Sequence, residues 1–462
     1  MQGKIGALRR VGPAAYRLDG VDNTTWIVPS GQAECLVDQS LVAKVQRLTS
    51  LRGVVRATVL ADAYPEEWGA PSGVLIETSG SDAPILPTMV SAPHDGFRVI
   101  ATGIDATALD NARVRDELGK QLRSWLCATS ELRRQLLRSL TLDELLNGNA
   151  EYLAASTGLS ADGVVPRPAG LTVRDLPATI RRAAASQIGS CGRGAHYVSF
   201  EKVTESNDAI VSPGELVVVV HVGPEGMAHA LKNTSWVALA RAAISTGYSL
   251  PSDVQEGLFA VPSGHPEAIR FVRFVQLVAA LSDWSRLIVG ALAVRCLARA
   301  TGQQICANVI SDIAHAGVDR AGTTMYQFKG VQLLGTTLDD VRQFHIGGYP
   351  GFILGVRGDG VSAHPHGRTA CHARLATDAV LPYERPTFTT PANRLGKWRR
   401  NVPIAEWMAI EERNVRASLE TVLAQGKAVL GAELWPVFRF YGQPKPSTRI
   451  LRGKVTLAAM DA

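Results

Sequence analysis

The sequence is short of paired cysteines, of uninterrupted hydrophobic runs and of any large charge excess. Its six cysteines (Cys35, Cys127, Cys191, Cys296, Cys306, Cys371) are scattered over 462 residues without a Cys-x-x-Cys spacing. That excludes a zinc ribbon and gives no disulfide framework. The opening stretch MQGKIGALRRVGPAAYRLDG has no apolar core of the signal-peptide kind. The most apolar segment, FVQLVAALSDWSRLIVGALAVRCLARA, is interrupted by Asp283, Arg286 and Arg295, so it reads as a buried helix rather than a membrane span. The expectation is a cytoplasmic protein with no membrane partner. Internal repeats and low-complexity tracts are also lacking. A hydrophobic share of 46% with 19% charged residues describes a globular chain with a large core. The balance of 48 basic against 42 acidic residues, +6, is compatible with a polyanionic partner without identifying one.

Helical spacing runs from Leu41 to Leu51, and VVRATVLAD after it reads as a buried strand. Strands are also expected at VLIET, FRVIATGI, YQFKGVQLL and PGFILGV. ELVVVVHVG, ending on His221, has the continuous apolar character of a strand covered on both faces. A long helix comes next, with Pro266 suited to its first turn and Gly302 to its end, and a last helix covers about Ile410 to Leu430. Residues 110–160 are charge-rich and helical in period, and GVVPRPAG (Gly163 to Gly170) is a short linker-like stretch. Helices and strands are interspersed without a strict βαβ rhythm, so the fold class is mixed α/β (α+β), built as one large domain.

The segment QIGSCGRGAHYVSFEKV raises the first question of chemistry. Its glycines match neither a Walker A loop nor a dinucleotide fingerprint. The residues after them alternate like a strand, so no helix N-terminus is on hand for phosphate. His196 shares a face with Val198 and Phe200, while Tyr197, Ser199 and Glu201 point the other way. His221 and His315 likewise sit at the ends of apolar runs. Three imidazoles at the mouths of three inner strands could converge on one metal; each alone also reads as a hydrogen-bonded core histidine. SAHPHGRTACHAR gathers His364, His366, His372, Arg368 and Arg374. A histidine nucleophile facing phosphate, flanked by guanidinium groups, suits that composition, and so does a solvated polar loop. NRLGKWRRN (Lys397, Trp398, Arg399, Arg400) offers charge and a stacking surface for single-stranded nucleic acid, or a basic surface turn.

Taken in order, these segments resemble the RtcB family of RNA-splicing ligases, over roughly residues 40–446. The segment around His196 is similar to that family's QLGTLGxGNHFxEV, VVVVHVGPEGMAHAL to VVxxHSGSRGLGHxV, and VISDIAHAG to its xxHN segment. The run through Asp62 resembles MPDVHxGYGxPIG. FKGVQLL resembles HRKGATRA through Lys329 and Gly330, and GFILGVRGDG resembles IPGSMG through Ile353, Gly355 and Gly358. Arg286 stands where the family has Ala-Asn-Arg, and HPHGR resembles HGAGR with His364 as its histidine, Gly367 and Arg368 retained, and His372 as a rival. Lys445 corresponds to a near-terminal lysine.

The resemblance implies a single catalytic domain over residues 1–446, with mixed sheets at the core and helices around them, and a C-terminal extension, residues 447–462. It implies metal ligands at Asp95, His196, His221 and His315, a nucleophile at His364, and nucleotide contacts at Lys329, Gly355, Gly367, Arg368 and Lys445. The activity implied is joining of an RNA 3′-phosphate or 2′,3′-cyclic phosphate to a 5′-hydroxyl, in tRNA splicing or RNA repair. It would run through a histidine–nucleotide intermediate with GTP and one or two divalent ions, Mn²⁺ first, with Mg²⁺ or Zn²⁺ as alternatives. RNA (tRNA or broken ends), a nucleotide and an activating protein are the implied partners. The chain departs from the pattern at several points. Asp95 of APHDG takes the cysteine position of DxxCG, and Ala92 takes its aspartate position. Ala195, Ser199, Pro224, Glu225 and Ala316 replace further family residues, Ser199 standing for a glutamate that contacts guanine. These losses support a competing reading: a ligase-inactive relative that binds RNA or processes its phosphate ends without a nucleotide adduct.

Overall fold

A computed structural model describes residues 8–18, 20–27, 39–66, 68–80, 83–127, 129–138, 140–147, 153, 170–192, 196–207, 210–335, 343–348, 350–357, 361–367 and 404–440. Two seven-stranded sheets form its centre. In spatial order the first contains Leu8–Gly12, Ala15–Leu18, Val21–Ile27, Val54–Tyr64, Ser72–Ser79, Thr324–Lys329 and Ala316–Ala321. The second contains Asn308–Ala314, Gly96–Asp105, Glu215–Val222, Tyr197–Ser206, Ala428–Phe440, Gly351–Val356 and Gln343–Ile346. Neighbours are antiparallel except for Val21–Ile27 beside Val54–Tyr64. Val331–Leu334 and Ser362–Pro365 form a separate two-stranded ribbon. This is the mixed α+β architecture expected from the sequence.

The second sheet carries the chemistry, and its central strand explains the run ELVVVVHV. Val218 and Val220 join Val198, Phe200 and Ile100 in the main core, which includes Leu277, Ile288 and Val289 of the long helix. Val217 and Val219 pack with Val99, Ile353 and Leu434 in a second core on the other side. Alternate side chains therefore enter two dry layers, and all four valines from Val217 to Val220 are fully buried. Burying each is worth about 1.5–3 kcal/mol, which fixes the register of this strand firmly. The same layering qualifies the alternation seen after His196. Tyr197, Ser199 and Glu201 do point away from Val198 and Phe200, but they too are buried.

The long helix Pro266–Thr301 starts at Pro266, where the His265 side chain accepts from the Glu267 N–H, and stops at Gly302. Gly302 has φ +68°, a left-handed cap that a Cβ would strain. By length and composition this helix could cross a membrane, but its apolar window is 94% buried inside the protein, as a core helix should be. The expected last helix is displaced: it spans Ile404–Ala424, and Ala428–Phe440 is instead a strand of the second sheet. Gly426, at φ +68°, terminates the helix. YQFKGVQLL divides into two strands at Gly330, φ +65°.

Candidate metal centre and its histidine neighbour

Four neighbouring strands of the second sheet reach the same edge at the same level. Gly96 begins its strand directly after Asp95 and pairs with Val222 on one side and Ala314 on the other. His221 pairs with Phe97 and with Tyr197, the residue after His196, and His315 comes directly after Ala314. Antiparallel pairing thus gathers Asp95, His196, His221 and His315 from positions far apart in sequence. The His315 N–H donates to the Asp95 carbonyl at 2.7 Å, locking two of the four backbones together.

The side chains meet around the Asp95 carboxylate. His196 Nε2 lies 3.3 Å from Oδ2. His221 Nε2 and His315 Nε2 lie 3.4 and 3.7 Å from Oδ1, and 3.0 Å from each other. One donor atom each from Asp95, His221 and His315 falls within 4.8 Å of the others. Burial lowers His221 and drives His315 well below the ordinary imidazole range, the Asp95 charge opposing both only in part. Burial would raise Asp95, but the imidazoles of His196 and His315 outweigh it and hold its carboxyl well below the usual range. Neutral His221 and His315 imidazoles beside an ionised carboxylate are the protonation states that a cation requires.

The turn that presents Asp95 is held under tension. His94 adopts φ +56°, a left-handed conformation costing a non-glycine residue about 1–2 kcal/mol. The long helix holds it there: Arg286 Nη1 and Ser282 Oγ donate to the His94 carbonyl at 2.8 and 3.0 Å, and His94 Nδ1 meets Asp283 Oδ2 at 2.8 Å. Arg286 is fully buried and also donates to Asp283 and Asp312. It therefore positions the Asp95 turn and does not itself join the cluster. Gly223 supplies the space in front of Asp95, since a Cβ there would lie 2.5 Å from both Cγ and Oδ1. The Asp95 carboxylate and the His221 and His315 imidazoles, cradled by a glycine, are a donor set that fits a divalent cation such as Mn²⁺ or Zn²⁺, with His196 on the other oxygen of the same carboxylate. Ala92, at the family's aspartate position, offers no ligand, and its carbonyl accepts from the Asp95 N–H.

A fourth histidine reaches this cluster, and it is not His364. His366 packs its ring against His315, centroids 4.7 Å apart. Fully buried Asp62 holds it: one oxygen, Oδ2, faces His366 Nδ1 at 2.8 Å and accepts from the backbone N–H groups of His366 and Gly367 at 3.1 and 3.0 Å. Gly367, φ +88°, crosses directly over Gly347, where no side chain would fit. His364 lies inside the ribbon instead, stacked on Phe344 at 4.2 Å, with its Nε2 2.9 Å from Ser362 Oγ. Burial, then Lys427, push it down to about 3. That is the environment of a neutral core histidine. The strand ends at Pro365, so the chain turns before His366 and the two histidines part company.

Lys329 donates to the Ala70 carbonyl at 3.0 Å and lies 3.5 Å from Glu66 Oε1. Its neighbour Gly330 passes so close to His366 that a Cβ would stand 3.2 Å from the ring's Cε1. Gly355, expected to touch nucleotide, is a ladder residue between Gln343 and Val429. Arg368, Lys445, His372, Arg374, Ala195, Gly358 and the Lys397–Arg400 cluster lie outside the described residues. Ser199, at the position of the family's guanine-contacting glutamate, is wholly buried. Beside it Arg439 pairs with Glu201 at 3.0 Å and lays its guanidinium 3.9 Å over the Tyr197 ring. Pro224 caps the helix Glu225–Ser245, and Ala316 is buried at the start of its strand.

The family model described as "tRNA-splicing ligase RtcB" matches residues 44–328, more than half of the chain. The chain is 25% identical over 207 residues to RNA-splicing ligase RtcB homolog 1 of Entamoeba histolytica, a match covering 41% of this chain and 39% of that protein. It is 21% identical over 292 residues to the tRNA-splicing ligase RtcB of Aeropyrum pernix, covering 56% and 59% respectively. The matches thus span less than two thirds of these relatives. The family match takes in Asp62 and the four residues Asp95, His196, His221 and His315, and on that footing the chain belongs to the RtcB family.

Proposed function

We propose that this protein is an RNA ligase that joins an RNA 3′-phosphate or 2′,3′-cyclic phosphate end to a 5′-hydroxyl end, through a histidine–nucleotide intermediate and with a divalent cation. The observation that carries the reading is the contact of a carboxylate-held histidine, His366, with His315 of the Asp95–His221–His315 group. Asp95, His196, His221 and His315 would hold the cation, Mn²⁺ first, with Mg²⁺ or Zn²⁺ as alternatives. When bound, the cation supplies neutralisation of the charge that builds on phosphoryl oxygens.

The protein's own groups account for the nucleophile. Asp62 Oδ2 already accepts two backbone N–H bonds, so it acts as an acceptor and His366 Nδ1 must donate to it. That fixes the tautomer and leaves the Nε2 lone pair to attack. The attack would form an N–P bond to the α-phosphorus of a nucleoside triphosphate, GTP being the first choice, and release pyrophosphate. The RNA 3′-phosphate would then displace the histidine, and the 5′-hydroxyl would expel the nucleoside monophosphate as the new phosphodiester forms. Lys329, beside Gly330 at the His366 ring, supplies fixed positive charge. In this reading His366 takes the nucleophilic role that the resemblance assigns to His364, because His366–Gly367 pairs directly with the His-Gly of HGAGR and only His366 faces the cluster.

The test is incubation with Mn²⁺ and α-labelled GTP, then peptide mapping at alkaline pH, with a parallel acid-treated sample. The expected result is an acid-labile label on His366, absent in His366→Ala and present in His364→Leu. No label with GTP or ATP, together with retained RNA binding, would support the non-ligating reading instead.

A further inference from the structure

One lysine of the cluster beside the histidine site, Lys232, is not explained by the folding of the loop that the cluster surrounds. Lys44, from the helix Gln39–Thr49, donates to the carbonyls of Glu66 and Gly69. Lys329 approaches the same loop through Ala70 and Glu66. Lys232, from the helix Glu225–Ser245, lies 4.0 Å over the ring of Trp68 and 5.6 Å over that of Trp236. The loop itself is fixed: Trp68 Nε1 donates to the Gln255 carbonyl and the Gly69 N–H to that of Glu256, both at 2.9 Å.

Three ammonium groups thus converge on one rigid loop, facing the carboxylates of Glu66 and, at longer range, Glu256. Lys44 and Lys329 satisfy inward carbonyls and have a structural task. Lys232 has none of this kind. Among the described residues no carboxylate pairs with it, and it is only partly exposed. Burial, and after it Lys329, push both Lys44 and Lys232 below the ordinary lysine range. A neutral side chain would cover the two tryptophans without that repulsion. The cation–π contact holds Lys232 over the indoles, and three ammonium groups around one loop leave room for a further anion to offset their mutual repulsion.

We infer that Lys232, with Lys329 and Lys44, holds a phosphate group of the RNA strand next to the His366 site, Trp68 forming the floor of that position. The inference rests on the RNA-ligase reading and extends it to a strand contact outside the metal cluster. The ammonium groups act as point charges on a phosphodiester, so they contribute affinity and register without base preference.

The experiment measures binding of a fluorescent single-stranded RNA with a 3′-phosphate across a potassium chloride series, for wild type, Lys232→Met, Lys232→Arg and Lys44→Gln. Lys232→Met is expected to bind about tenfold more weakly at low salt. The slope of log affinity against log salt should fall by about 0.7, the value for one lost contact to a single strand. Lys232→Arg should keep most of both, and thermal melting of each variant separates lost contact from lost fold. If Lys232→Met misfolds, Lys44→Gln carries the test with the same expected direction. Affinity and slope unchanged in both neutral variants, with wild type binding RNA, would overturn this inference and leave the ligase reading standing. Weakened GTP binding with RNA binding unchanged would also overturn it, giving the cluster to the nucleotide's phosphates. Wild type that binds no RNA would overturn both.

Discussion

Gly223→Ala is the sharpest structural perturbation of the metal cluster that leaves every proposed ligand in place. The added Cβ would stand 2.5 Å from Asp95 Cγ and Oδ1 and 2.8 Å from its Cβ. Comfortable separation is about 3.5–4.0 Å, so the carboxylate must retreat by about 1 Å. Metal–ligand distances tolerate about 0.2 Å, and disturbing the surroundings of a ligand typically costs about 10–100-fold in affinity. Gly223 is not at a positive φ, so alanine adds no backbone strain, and overpacking should cost about 1–3 kcal/mol of stability in the absence of metal. The metal-dependent increment is the informative quantity. At a Mn²⁺ concentration about 1,000 times the wild-type Kd, binding adds about 4.1 kcal/mol to unfolding, and a 100-fold weaker site adds only about 1.4 kcal/mol. Urea unfolding with Mn²⁺ and with chelator, on both proteins, reads this difference. An equal Mn²⁺ increment in Gly223→Ala and wild type would refute the placement of Asp95 at the metal.

Arg286→Met removes a buried guanidinium and leaves Asp283 with His94 and Asp312 with Arg98 as remaining partners, so unfolding should become easier by about 1–3 kcal/mol. Because Arg286 also clamps the His94 carbonyl, Mn²⁺ affinity in calorimetry should fall as well, although Arg286 touches no proposed ligand. His345 and His364 are both held down at about 3 by burial, whereas an unfolded histidine titrates near 6.5. Below that value the unfolded chain binds more protons, so stability is full above about pH 6.5 and is lost progressively toward pH 3. Between pH 7 and pH 5 each should cost about 2 kcal/mol in the urea-derived stability, and His364→Leu should remove one such contribution. His364→Leu should also leave nucleotide labelling intact, a direct contrast with His366→Ala in the same gel assay.

Much of the site is legible in the sequence because β-sheet register is a local matter with long-range results. The apolar runs before His221 and His315 predict strands, and antiparallel pairing of those strands puts the histidines at one edge. The capped ends of the long helix at Pro266 and Gly302 are likewise readable, since both depend on the residue's own backbone. The choice between His364 and His366 is not. Period-two alternation places both on one face, and only the end of the strand at Pro365, with Asp62 arriving from a strand about three hundred residues earlier in the chain, separates them. The two residues His-Gly at His366–Gly367 are the available signal. Arg286 stands out as a motif residue, but its task of anchoring the His94 turn depends on helix-to-sheet packing that spacing does not encode. The burial of Tyr197 and Glu201 is hidden for a similar reason, since alternation reports opposite faces and not whether both are covered.

The most direct test is equilibrium binding of Mn²⁺ to the purified, chelator-stripped chain, compared with Asp95→Ala and His221→Ala under identical conditions. The account expects near-stoichiometric, saturable binding by wild type and its loss in both variants, with the fold retained by circular dichroism. Wild type that takes up no divalent ion, or variants that bind it as wild type does, would contradict the claim that these four residues form a metal centre.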